Sequence, residues 1–120
     1  MSPLFYKVFH ILGVLLAFVA MGGMIFRALD DSREPGPGRK LAGITHGVAL
    51  LLILISGFGM LAKLGYGFPL WVWIKIFIWL LIGAAAALIR RLPQYATFFW
   101  FALPVLGAVA AYLALYRPAF

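Results

Sequence analysis

Four stretches of this chain are almost free of charge. Residues 8–26 and 41–62 contain no Asp, Glu, Lys or Arg, residues 70–89 contain only Lys75, and residues 92–116 again contain none. At a rise of roughly 1.5 Å per residue, each can cross about 30 Å of hydrocarbon as a helix. None shows the period-two alternation of a membrane strand. A backbone in lipid has to satisfy its own N–H and C=O groups, which makes such a segment helical. The expected architecture is an all-α, polytopic membrane protein, a bundle of four transmembrane helices over about 3–26, 41–64, 70–89 and 94–116, with a polar loop at 27–40. Four spans place both termini on the same side, within a single transmembrane domain covering residues 1–120.

Composition narrows the functions that fit. Apolar residues make up 66% of the 120 residues and charged ones 11%, which leaves no room for a Rossmann unit or a catalytic head outside the membrane. Cysteine is absent, so disulfides, thiolate nucleophiles, iron–sulfur clusters and cysteine zinc sites are excluded. The net charge of +7 sits beside apolar helices and points to anionic lipid headgroups rather than nucleic acid. The first apolar stretch has one preceding cation, Lys7, and Met24-Ile25-Phe26-Arg27 at its far end instead of a small-x-small cleavage site, so it is expected to be kept as the first helix.

Charge also predicts orientation. Arg27, Arg33, Arg39, Lys40, Arg90 and Arg91 lie in the loops after helices 1 and 3, whereas Lys7, Lys63 and Arg117 lie on the side of the termini. The positive-inside bias puts the first group in the cytoplasm and both termini on the non-cytoplasmic side, as in a bacterial inner membrane.

Ionisable groups inside a membrane are candidates for function, and here they are His10, His46 and Lys75. Counted from the ends of their spans, His10 lies roughly 9 Å and Lys75 roughly 7–8 Å inside the same face, whereas His46 lies nearer the opposite one. One haem ligated by both histidines within a protomer therefore fits poorly. His10 and Lys75, with Met60 in the same layer, form a better-matched set of imidazole, amine and thioether donors. Each also has a plain structural reading. Lys75 can snorkel its ammonium to the interface, His10 and His46 can hydrogen-bond across helices, and methionine commonly fills irregular packing. Arg27 and Arg39 stand where they can meet a lipid phosphate or a propionate.

Small residues mark expected packing surfaces: Gly13 with Ala17 on helix 1, Gly43 with Gly47 on helix 2, Gly83 with Ala87 on helix 3, and Gly107 with Ala111 on helix 4. Asp30-Asp31 has no further regularly spaced acid that would make a metal loop. No nucleotide-binding glycine pattern, zinc motif or nucleophile elbow is present.

The segments HILGVLLAFVAMGGM, THGVALLLILISGFGMLAK and WVWIKIFIWLLIG, within residues 4–91, resemble small membrane proteins grouped around HemJ-type protoporphyrinogen oxidases, SirB-like proteins and the CopD membrane domain. The resemblance implies a role for His10 and Lys75 in haem b binding and activity. It also implies oxidation of protoporphyrinogen IX, with electrons passed to the membrane electron-transfer system.

Three functions follow as expectations. The first is a small accessory subunit packing on a larger respiratory, photosynthetic or transport complex, which needs no cofactor. The second is a haem b-associated redox protein, in which His10 and Lys75 hold the cofactor, with His46 and Met60 as weaker candidates. The third is a transporter component, for which one lysine and two scattered histidines supply few stations. The expected partners are membrane lipids and other membrane subunits, with no nucleic acid.

Overall fold

A computed structural model of the protein describes residues 3–30, 36–65 and 67–116. The described residues form four α-helices, α1 (Pro3–Leu29), α2 (Pro37–Leu64), α3 (Leu70–Arg91) and α4 (Ala96–Tyr116), with a 3₁₀ turn at Pro93–Tyr95 before α4. All four are long and apolar enough to cross a membrane. The fold is all-α, as the uncharged stretches require.

Helix ends differ from the sequence reading where local chemistry outweighs hydropathy. Helix α1 continues to Leu29, and α2 begins at Pro37, inside the stretch expected to be loop. Proline is well placed there, because its fixed φ suits a first turn whose N–H groups have no helical partner anyway. Helix α2 ends at Gly65, which takes the left-handed conformation at φ 69° and donates its N–H to the Leu61 carbonyl at 2.9 Å. Pro93 does not start a regular α-helix directly; its turn is 3₁₀, and α4 follows from Ala96.

The chain divides into two compact units, Met1–Gly23 with Glu34–Gly67, and Met24–Arg33 with Phe68–Phe120. In the first, α1 and α2 run antiparallel: Tyr6 meets Gly59, His10 meets Ser56 and Ile53, and Gly13 meets Ile53 and Ala49. The residues involved repeat at alternating intervals of three and four. Continued at that interval, the stripe on α1 runs Tyr6, His10, Gly13, Ala17 and Ala20, and that on α2 runs His46, Ala49, Ile53, Ser56 and Met60. This seam spacing keeps one narrow stripe of each helix facing the other.

Side-chain size is distributed in a telling way. Gly13, Ala17, Ala20, Ala49 and Ser56 are buried, whereas Leu4, Val8, Leu15, Val19, Leu41, Val48, Leu51 and Ile55 are exposed. Water would drive the large apolar side chains inward. Lipid supplies no such drive, so close van der Waals contact between small residues selects the interface. The arrangement is that of an integral membrane protein.

In the second unit α3 folds back onto α4 through Leu92 and the 3₁₀ turn. Helix α3 buries Trp71, Val72, Ile78, Ile82, Ala85 and Ile89, and α4 buries Ala96, Leu103 and Leu113. The end of α1 belongs here as well: Met24 and Ile25 are buried, and the Phe26 ring stacks on Trp100 with centroids 6.1 Å apart. Pro104 lies inside α4 and removes one backbone N–H from its ladder.

Candidate functional site

The best-defined polar site lies on the α1–α2 seam. His10 Nδ1 stands 3.0 Å from the Ile53 carbonyl oxygen and 3.1 Å from Ser56 Oγ. A carbonyl oxygen only accepts, so Nδ1 carries the proton and donates. The Ser56 hydroxyl donates its own proton to the Leu52 carbonyl one turn earlier, which leaves its oxygen as a second acceptor for the imidazole. The ring is thereby held in one tautomer, and in its neutral form the lone pair lies on Nε2.

Glycines make room for this joint. A Cβ at residue 57 would lie 3.4 Å from His10 Cε1, ordinary contact. At residue 59 it would lie 2.5 Å from the Tyr6 ring, which therefore rests against bare backbone. At residue 13 it would meet Ile53 Cγ1 at 2.9 Å, and the Ala49 oxygen and Ile53 nitrogen at 3.2 Å. Gly13 thus lets the backbones of α1 and α2 approach closely.

The other sequence candidates lie on several elements. His46 is buried on the same α2 stripe but ten residues before Ser56, roughly 15 Å along the axis, so the two histidines occupy different levels of the seam. Met60 is half-buried one turn beyond Ser56. Lys75 is half-buried on α3 and belongs to the second unit, whereas His10 belongs to the first. Arg27 sits in the last turn of α1, and Arg39 is exposed in the first turn of α2. Gly43, Gly83 and Gly107 are half-buried. Gly47 is exposed, with no atom within 4 Å of where its Cβ would stand. It follows His46 by one residue, a rotation of about 100° off the seam.

Sequence reasoning did not single out Ser56, Ile53, Gly57 or Gly59, and placed Tyr6 only in an interfacial aromatic belt. The available signal was a lone hydroxyl among large aliphatics in ILISGFG, followed by two glycines two residues apart. A polar residue beside a backbone without side chains is the signature of an interhelical hydrogen bond in lipid.

Such a joint holds helices together. Interhelical side-chain hydrogen bonds in membrane proteins contribute on average about 0.6 kcal/mol, with a maximum of about 1.7. Each partner here has a second acceptor, so His10→Ala and Ser56→Ala should couple by about 0.5–1 kcal/mol. A double-mutant cycle of unfolding in mixed micelles measures this; additivity of the two losses would mean that the contact contributes nothing.

Among the described residues no three His, Cys, Asp or Glu side chains gather as a metal site. No family model, curated protein or solved structure matches the chain.

Proposed function

We propose that this chain is a small accessory subunit of a larger complex in a bacterial inner membrane, with both termini on the non-cytoplasmic side. One observation carries the reading: glycines in the membrane spans that face outward into open space. Gly23 and Gly47 are exposed and have nothing within 4 Å of a Cβ position, on helices whose other outward residues are mostly large. Such notches are where a helix of another protein approaches closely. The polar joint at His10, by contrast, is spent within the chain on tying α1 to α2. The charge bias of the loops supports the orientation, and lipids are the second partner.

A second reading, a haem b-associated redox protein, is favoured by the state of His10. An imidazole that donates Nδ1–H to a carbonyl has the tautomer of a metal-ligating histidine, whose Nε2 faces the iron. Haem would supply the redox chemistry, and His10 would bind or orient it. The protoporphyrinogen-oxidase activity implied by the resemblance belongs to this reading.

Purification in mild detergent at native expression level separates the two. An accessory subunit runs in a particle far heavier than 13.2 kDa, and recovery only as a monomer or small homo-oligomer overturns that reading. A Soret band in the purified chain that disappears in His10→Ala supports haem binding. A band that survives alanine at both His10 and Lys75 removes the ligand assignment.

A further inference from the structure

We propose that one end of the second unit seats an anionic phospholipid, its phosphate held by Arg90 and Arg91 and one acyl chain laid in an apolar groove along α4. Such a lipid would bind whether or not the chain packs on a larger complex.

The groove has a volume of about 500 Å³ and runs from Thr97 to Val109. Phe101 and Val105 stand on one ridge of the helix and Phe98 and Leu106 on the next, where Ala102 lowers the wall between its two large neighbours. Phe98 is 65% exposed, Phe101 67% and Val105 63%, so this is a different face from the one that buries Ala96, Leu103 and Leu113. From Thr97 to Val109 the axis rises roughly 18 Å, against about 30 Å for a whole hydrocarbon core. That is close to the depth of one leaflet, which an acyl chain enters from the surface. A transmembrane helix of another protein would instead lie across both leaflets.

The groove opens where cations gather. Arg90 and Arg91 are the last residues of α3, and both are exposed. The 3₁₀ turn at Pro93–Tyr95 leads from them into α4, so the groove starts at Thr97, in the first turn of that helix. Arg27 stands at the same end, because the stacking of Phe26 on Trp100 sets the last turn of α1 beside the first turns of α4. Among the described residues of this end, these three arginines stand against one carboxylate, Asp30. A guanidinium pairs with phosphate oxygens in a bidentate fork. The excess of positive charge selects a headgroup with net negative charge, because the ammonium of a zwitterionic one is repelled. Tyr95 and Trp100, both exposed, lie at the level where amphipathic rings meet headgroups.

Photo-crosslinking in membranes that carry the full chain tests this. Benzoylphenylalanine is placed at residue 101, in the groove, and separately at residue 19 as a reference for bulk lipid, since Val19 is 72% exposed on α1. Mass spectrometry of the adducts at residue 101 should find phospholipid, with anionic headgroups enriched about fivefold over the adducts at residue 19. Arg90→Gln with Arg91→Gln should remove that enrichment, while Arg90→Lys with Arg91→Lys keeps most of it, because only the first pair discharges the site. Ala102→Phe fills the groove and leaves both arginines in place, and it should lower the anionic adducts to the reference level. Equal headgroup compositions at residues 101 and 19 overturn the proposal. Enrichment that survives the glutamine pair, or Ala102→Phe, overturns it too. So does an adduct of residue 101 with another polypeptide or with a second copy of the chain, because the groove is then a protein interface.

Discussion

Leucine at residue 13 should separate α1 from α2, at a cost of about 3 kcal/mol. The first carbon of any side chain there meets Ile53 Cγ1 at 2.9 Å and two backbone atoms of α2 at 3.2 Å. Backbone cannot turn aside, so relief comes only by moving one helix away from the other. That movement also lengthens the His10 contacts with Ile53 and Ser56, three residues along the same stripe. Gly59→Ala is the control. Its Cβ would lie as close as 2.5 Å to Tyr6, but the obstacle is a ring that can rotate on its own bonds. Unfolding in mixed micelles, with donor and acceptor dyes on the two helices, should show a large loss for the first variant and a loss below about 1 kcal/mol for the second. Equal losses would mean that α2 yields as easily as a side chain.

Ile89→Ala should cost the second unit about 2–3 kcal/mol. Ile89 is fully buried on α3, at 0% exposure. In lipid the usual transfer gain of burying aliphatic surface is small, because acyl chains are as apolar as the protein interior. What remains is the cavity and the lost dispersion contacts around it. Leu88→Ala removes a similar amount of side chain from the next position, which is 42% exposed. Lipid can fill the space left there, so its effect should stay within about 0.5 kcal/mol. Similar losses for the two variants, measured in the same micelles, would count against packing as the source of stability.

Hydropathy and charge made the four helices legible, since nothing but a helix places some twenty uncharged residues in lipid. The end of α1 and the start of α2 were less legible, because Arg27, Arg39 and Lys40 read as loop although their backbone is helical. A charged side chain near a membrane surface can stay in water while its backbone continues the helix. His10 was visible as a rare polar residue, but its partners were not. Pairing depends on which faces of α1 and α2 meet, and no count of residues from a membrane edge supplies that rotation. Gly43 and Gly47 illustrate the point: their spacing is that of a packing notch, yet Gly47 faces away from the seam that His46 and Ala49 define.

The alternation of three and four along the seam repeats every seven residues, so a slide of one heptad would keep the same stripes face to face. Such a slip would set His46 or Met60 against Gly13 in place of Ile53 and take Tyr6 off the bare backbone at Gly59. At His10 it would change the chemistry, because the residues seven places either side of Ser56 are Ala49 and Lys63. The imidazole would then confront a methyl group or an ammonium, and neither reproduces the acceptor that Ser56 supplies. The polar pair thus acts, together with the rest of Tyr6 on Gly59, as an index mark that selects one alignment of the two helices.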